Sequence, residues 1–259
     1  MKQCGYRARA ALFACAFFSF LVPPVARADS SDEINLLSWG AGAIVVQTPP
    51  TEGRATGQWS ADALLDELPD SGWANKRGDM SPKAIVIEMT DRSEITRLEF
   101  DTAQTYSPEH SARDVTVEIS DRQDGGYSEI AKITLVKAKD GQKFPLSKPA
   151  QGRYVRLTVF NNYGNKDFME IMNFKAYGKS LVKHVMRDYS GTYTSTFYEL
   201  HLQQNGITVA GCYQLSSGLI ENGGFEGRVL RFTWNADQPG GGRYSGPAIL
   251  IFRDDGKSF

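Results

Sequence analysis

Cysteine and histidine are both scarce in this sequence, since 259 residues contain three of each. The three histidines lie far apart, so neither H-x-x-x-H nor H-E-x-x-H occurs, and G-x-S-x-G and C-x-x-C are also missing. These absences exclude the zinc-protease signature, the nucleophile elbow of hydrolases and the thioredoxin-like redox motif. The sequence therefore predicts a protein that is not an enzyme, in which each histidine has a structural role.

Long apolar runs are also missing, apart from one near the start of the chain. Lys2, Arg7 and Arg9 precede "ALFACAFFSFLV" (11–22), and "VARA" (25–28) is an A-x-A cleavage motif. The run is shorter than the roughly 20 residues that cross a bilayer. Residues 1–28 are therefore predicted to be a cleaved signal peptide rather than a membrane anchor, and lipidation at Cys15 is a third, disfavoured alternative. We expect a bacterial protein, periplasmic or secreted, without a membrane span after cleavage.

Cleavage would leave Cys212 as the only cysteine, so an intrachain disulfide is excluded. Cys212 lies in the strand-like run "ITVAGCYQL" and is predicted to be a small buried apolar residue. The remaining 231 residues, enough for two domains, carry 25 basic and 30 acidic side chains, a net charge of −5. This balance argues against a nucleic-acid partner, which would favour a basic surface.

Helical periodicity is almost absent, and short strand patterns recur instead. The single helical candidate is "SADALLDE" (60–67), with Ser60 as N-cap and Pro69 ending it. In "DVTVEIS" (114–120), apolar and polar residues alternate as in a strand covered on one side. The other predicted strands of this half are 84–89, 95–101, 129–136 and 153–160. Short strands at this spacing indicate an all-β antiparallel sandwich or barrel.

The amino-acid composition changes after "KSLVKHVMRD", so residues 180–187 are predicted to be a linker between domains 29–179 and 188–259. The second part is glycine-rich, and "QNG" (204–206) predicts a two-residue hairpin. We expect a small antiparallel β-meander, the form that an incomplete barrel would take. "GPAILIF" (246–252) is followed by "RDDGKSF", which resembles a turn that enters one more strand. The sequence thus predicts a truncated and less stable second domain.

An unusually acidic turn, "LLDELPDSGW", occupies residues 64–73. Ca²⁺ prefers six to eight oxygen ligands from carboxylates, hydroxyls and turn carbonyls. Asp66, Asp70 and Ser71 offer such oxygens, so the turn is a candidate site for a structural Ca²⁺. The alternative is an acidic surface turn that ends a short helix.

In their order along the chain, these segments resemble the discoidin, or coagulation-factor type C, family of the galactose-binding-like jelly-roll fold. The resemblance covers Ile34–Gly178 and depends most on "RYVRLTV" (153–159) followed by "MEIMNFKAYG" (169–178). The chain departs from the family in lacking a cysteine pair and in placing Leu68 where a polar residue is common. The second part resembles a glycine-rich β-repeat module of bacterial envelope proteins.

The resemblance implies where function would lie. It implies Glu170 as a fourth ligand of the calcium site and Trp73 as the core residue beneath the acidic turn. Members of the family bind ligands through loops at one end of the sandwich, and many bacterial members bind sugars. The corresponding loops offer candidate ligand-binding residues, which we expect to be accessible: Asn75, Arg77, Tyr106, His110, Arg113, Asn161, Asn162 and Tyr163.

The predicted function is a non-catalytic module that binds a glycan or an envelope polysaccharide. The alternative is a structural or protein-interaction component of the cell envelope, with a protein partner on the second domain. An open polar cleft at the loop end would favour the first, and a flat apolar patch the second.

Overall fold

The computed structural model describes residues 33–52, 57–253 and 255–259, so the predicted signal peptide lies outside the described residues. Within that part of the chain, fifteen strands pair with one another in antiparallel fashion. The first nine strands are β1 (Ile34–Asn35), β2 (Ile44–Gln47), β3 (Trp73–Ala74), β4 (Lys83–Asp101), β5 (Asp114–Ser120), β6 (Ser128–Thr134), β7 (Gln142–Val159), β8 (Glu170–Ile171) and β9 (Asn173–Ser180). The other six are β10 (Gly191–Ser195), β11 (Tyr198–Asn205), β12 (Thr208–Tyr213), β13 (Gly218–Glu226), β14 (Val229–Asp237) and β15 (Arg243–Ile251). The all-β prediction is confirmed.

The first half of the chain forms a seven-stranded sheet in the order β1–β9–β4–β7–β5–β6, with β2 paired to β4. Val115, Val117 and Ile119 of β5 are buried on its inner face, while Glu118 is half-buried on the other. The sequence predicted this alternation for a strand covered on one side, although Thr116, on the same face as Glu118, is also buried.

A smaller layer covers the inner face of this sheet. Trp73 of β3 and Ile171 of β8 pair in a two-stranded sheet and are fully buried. They share one apolar cluster with Leu64 and Leu65 and with residues of β4, β5, β7 and β9. The result is the sandwich that the sequence predicted, with Trp73 in its core.

The predicted helix 60–67 is a 3₁₀ helix, Ala61–Leu65, one of four in the described part of the chain. Ser60 occupies the N-cap position, but its hydroxyl donates to the carbonyl of Gly57 at 2.6 Å instead of accepting from the helix. The other three 3₁₀ helices are Trp39–Ala41, Pro108–His110 and Leu215–Ser217.

Residues after 190 form a six-stranded meander in which each strand pairs with the next, from β10 to β15. The sheet is open, so β10 and β15 are edge strands in the described structure. The predicted hairpin joins β11 to β12: Asn205 pairs with Thr208 around a two-residue loop, and its first residue, Gly206, has φ of +61°. A glycine there suits the turn because positive φ costs it little.

The meander has a separate apolar cluster, centred on Phe252 and Tyr189. Residues 181–190 connect it to the sandwich without regular secondary structure. His184 of this segment lies 2.6 Å from the Asp91 carboxylate, and Arg228 donates to the Thr90 carbonyl. Glu33–Phe259 form one compact unit through such contacts, and the predicted domain boundaries stay a prediction. None of the helices in the described residues is long and apolar enough to span a bilayer.

Candidate ligand site at the loop end of the sandwich

Three loops that contain the predicted ligand residues meet at one end of the sandwich. The backbone N–H of Ala112 donates to the carbonyl of Glu170 at 2.9 Å, and Arg113 N–H donates to Asn161 O at 2.9 Å. The N–H of Gly78 donates to the carbonyl of Asp167, also at 2.9 Å. Loops 75–79, 104–113 and 161–168 are therefore hydrogen-bonded into one surface, which we call the loop end.

A strip of aromatic rings crosses this surface. Tyr106 is 84% exposed, and its ring centroid lies 5.8 Å from that of His110 at an interplanar angle of 24°. The His110 ring lies 5.4 Å from that of Phe168, and the guanidinium carbon of Arg77 lies 5.9 Å from the centre of the Phe168 ring. Phe168 was missed from the sequence, since it lies just beyond the predicted loop "NNYGNK" (161–166).

A buried carboxylate holds this strip in place. Oε1 of Glu170 lies 2.8 Å from Nδ1 of His110, and Oε2 accepts from the backbone N–H of Tyr106 at 2.8 Å. Both side chains of the pair are almost completely buried. Because a buried carboxylate is stable only with such partners, Glu170 fixes both the His110 ring and the turn that carries Tyr106.

Several predicted ligand residues are buried, contrary to the expected accessibility. Asn75 is fully buried, donates to the carbonyls of Lys76, Asp79 and Asp167, and accepts from the N–H of Met169. Asn162 is 7% exposed, donates to the carbonyls of Asn165 and Phe168, and accepts from Gly164 N–H. His110 is 6% exposed. The expectation that these three side chains are accessible is wrong, because Asn75 and Asn162 satisfy the backbone of neighbouring turns and His110 pairs with the buried Glu170 carboxylate.

The flank of the loop end is a hydrogen-bonded group around Asp114. Arg113 and Asn161 donate to Oδ2 of Asp114, both at 2.8 Å, and Thr134 donates to Oδ1. The hydrogen bonds from Arg113, Asn161 and Thr134, in that order, lower the pKa of Asp114 to about 2. Tyr163 donates its hydroxyl hydrogen to Leu135 O at 2.5 Å. Arg113, Asn161 and Tyr163 are thus half-buried and already have internal partners.

The residues predicted to bind calcium serve different contacts. Oδ1 of Asp66 accepts from Leu68 N–H at 2.9 Å, Asp70 is exposed and Ser71 is buried. Both oxygens of Glu170 are used at the loop end, by His110 and Tyr106. Among the described residues, no group of three or more His, Cys, Asp or Glu is placed to hold a metal. Calcium binding therefore stays a prediction that depends on residue types.

Comparisons with known proteins agree with the sandwich. Residues 47–174 match the F5/8 type C domain family, which confirms the predicted resemblance for that stretch. The fold is similar to a fragment of a candidate chitobiase from Bacteroides thetaiotaomicron, with a TM-score of 0.50 at 17% identity over 61% of this chain and 99% of that one. A family 32 carbohydrate-binding module from Streptococcus pneumoniae EndoD matches with a TM-score of 0.46 at 18% identity, over 56% of this chain and 100% of the module.

Two curated relatives are enzymes by name. A probable allantoicase of Streptomyces avermitilis is 31% identical over 96 residues, and that of Streptomyces coelicolor is 30% identical over the same length. Each match covers 37% of this chain and 25% of the relative. The chain thus spans about a quarter of the length of the curated relatives it matches.

Proposed function

We propose that this chain is a carbohydrate-binding module whose ligand stacks on Tyr106 at the loop end. The observation that carries the proposal is the exposed Tyr106 ring, which stacks on His110 and whose backbone N–H is bonded to the buried Glu170 carboxylate. A large aromatic ring left in solvent is more informative than a scattered apolar residue when its backbone is tied down.

The chemistry of the surroundings suits a sugar. The apolar C–H face of a pyranose packs on an aromatic ring, and its hydroxyls need fixed donors and acceptors beside that ring. Arg77 and Asp167 at the end of the strip provide both, and their side chains are 3.2 Å apart. Both side chains reach the solvent, so a sugar can contact either one directly and the ion pair need not be brought out of the protein interior.

The charges at this end favour an uncharged sugar over a highly charged glycan. Several of its basic side chains are matched by neighbouring carboxylates: Arg113 with Asp114 at 2.8 Å, and Lys137 with Glu109 at 2.7 Å. Hydrogen bonds from Lys137 and Ser107 hold the pKa of Glu109 at about 2, so the carboxylate stays ionised at neutral pH. The loop end thus offers polar contacts with little net charge.

A glycan array with the full chain, followed by titration calorimetry, tests the proposal. Tyr106→Ala should weaken binding about tenfold, the loss expected for one aromatic contact of about 1.4 kcal/mol. Tyr244→Ala is the matched control, because Tyr244 is also exposed but lies on β15. Equal binding by wild type and Tyr106→Ala, or binding lost equally in both variants, would contradict a site on Tyr106.

We also propose that the chain is exported and that it has no catalytic activity. Export to the periplasm or medium depends on residues 1–28, and the absence of catalysis depends on missing motifs. The enzyme name of the curated relatives is no guide to activity, since the match covers a quarter of each. If no glycan binds, the alternative of a structural or protein-interaction component of the envelope takes precedence, with the open edges of the second sheet as the candidate surface.

A further inference from the structure

A cavity lies away from the loop end, where the meander contacts the sandwich. Its volume is about 580 Å³, within the range of small-molecule sites. Trp39, Ile44 and Asp62 belong to the sandwich wall, and Ile249 and Ile251 of β15 to the facing wall. Strand β5 leads from the loop end to Asp121, which pairs with Arg92 next to this junction. The cavity and the loop end are therefore at opposite ends of the sandwich.

The two walls are joined by specific hydrogen bonds. Arg228 donates to the carbonyl of Thr90 and, at 2.6 Å, to that of Phe252. Nε of Arg231 donates to the carbonyl of Gly40 at 2.7 Å. Charge-assisted bonds of this kind position both walls, so the cavity is a feature of a defined contact.

Most charges near the cavity are already paired, whereas Asp62 has no charged partner among the residues that the structure describes. The Arg153 guanidinium lies 2.7 Å from the Glu88 carboxylate, and Arg228 Nε lies 3.6 Å from that of Asp91. The Asp62 carboxylate forms no ion pair or hydrogen bond within the described residues, and burial raises its pKa. Arg253 lines the facing wall but is solvent-exposed, so its charge is screened by water and salt.

The apolar part of the cavity includes an accessible indole. Trp39 and Ile44 are each 44% exposed although both line it. Tryptophan is the side chain whose ring face attracts a cation most strongly. A half-buried carboxylate and an open indole in one cavity are complementary to positive charge, and the isoleucines to an apolar body.

We propose that this cavity binds a small organic ammonium ion with an apolar body, with Asp62 as counter-ion and Trp39 as the aromatic contact. The proposal is independent of the sugar site, because no residue is shared between them.

Titration calorimetry of the full chain with hexylammonium, hexan-1-ol and hexanoate tests this assignment. Hexylammonium should bind at least about tenfold more tightly than hexan-1-ol, the ratio that corresponds to about 1.4 kcal/mol. Hexanoate should bind most weakly. Equal affinities, a preference for hexanoate, or no binding by any probe would overturn the proposal.

Variants locate the effect. Asp62→Asn should abolish the preference for hexylammonium over hexan-1-ol, and Trp39→Leu should reduce it. Glu129→Gln is the control, because Glu129 is an exposed carboxylate on β6 of the sandwich and does not line the cavity. A preference retained in Asp62→Asn overturns the role of Asp62. The wild-type probe series remains decisive if a variant does not fold.

Discussion

The sandwich and the meander are both antiparallel, yet they are stabilised differently. In the described residues the sandwich cluster contains 26 buried apolar residues, mostly aliphatic, whereas the meander cluster contains nine. The smaller cluster depends on ring contacts, such as Tyr189 with Phe225 at 4.4 Å and with Phe252 at 4.6 Å between centroids. A small core buries less surface per residue, so we expect the meander to be the less stable part.

The two parts also differ in which of their surfaces remain accessible. In the sandwich, strands and a 3₁₀ helix cover the inner face of the large sheet, and a hydrogen-bonded loop end remains accessible. The meander leaves two edge strands and a groove of about 400 Å³, which includes Phe197 and Trp234. A rigid scaffold with ordered loops favours ligand recognition, whereas open edges favour association with another chain.

The largest expected effect is a loss of stability in the meander while the sandwich stays folded. Phe252 is fully buried and contacts the rings of Tyr189, Tyr193 and Phe225. Phe252→Ala should destabilise the meander by about 3–5 kcal/mol through loss of packing and creation of a cavity. In limited proteolysis, residues after 187 should be cleaved while the sandwich up to about Gly178 survives. Phe197→Ala, at a half-exposed ring, is the control; simultaneous loss of both parts would show that they are not separable.

A smaller effect is expected at the contact between the parts. Gly42 has φ of +80°, and a Cβ there would lie 2.8 Å from Cγ2 of Val229 and 2.5 Å from Oγ1 of Thr90. Gly42→Ala should therefore cost about 2 kcal/mol or more, from the left-handed backbone and the clash.

Gly141→Ala separates these two causes, since Gly141 also has positive φ but no atom within 4 Å of the position that a Cβ would take. It should cost only the backbone term, about 1–2 kcal/mol. Chemical denaturation measures both variants. Equal losses would mean that the contact between the parts tolerates the extra methyl group.

Acid should lower the free energy of unfolding of the sandwich and so reduce its stability relative to the meander. The pKa of Asp114 is lowered to about 2 from an ordinary value of 3.8, first by the hydrogen bond from Arg113. A lowered pKa contributes stability above pH 4 that is lost as the pH falls through 2. Asp114→Asn should flatten the decline of unfolding free energy between pH 4 and 2, as measured by urea denaturation. An unchanged slope would assign the acid sensitivity to other carboxylates.

The smallest expected effect is that of calcium. A ligand that binds only the folded chain raises its melting temperature, so Ca²⁺ should raise that of the sandwich and Asp70→Ala should remove the increase. The increase should be small, because Asp66 and Glu170 already accept hydrogen bonds. Identical melting curves with calcium and with chelator would refute the prediction.

The strands that alternate clearly could be predicted, and those that do not were missed. Strand β13 contains Gly223 and Gly224, and its register with β14 shifts between Glu221 and Gly224. Such a strand has no period of two because glycine provides no side chain to alternate. The first part of β7, with Pro145 and Pro149, was missed for a related reason, since proline disfavours strands until a neighbouring strand is known.

At the loop end, the sequence located the loops but not the roles of their side chains. Asn75, Asn162 and His110 were expected to face a ligand, whereas they are buried in support of neighbouring turns. Glu170 was expected at a metal and instead anchors His110 and Tyr106. The contacts of Asn75 with Asp167 and of Glu170 with His110 and Tyr106 join segments far apart in the chain, so no local pattern specifies them. Asn162 bonds instead within its own loop, to Asn165 and Phe168.

The resemblance to the discoidin family added the sandwich and Trp73 in its core, whereas local composition and periodicity by themselves determined that this protein is all-β and that a glycine hairpin joins two strands of the second half. The last two properties depend on interactions between near neighbours and on alternation along one strand. Only the tertiary structure decided that Tyr106 is the exposed ring, that Glu170 faces His110, and that Asp62 and Trp39 share a cavity with β15. Burial and pairing of a polar side chain depend on groups brought together from distant segments, and their free energy exceeds the local preference of any single residue.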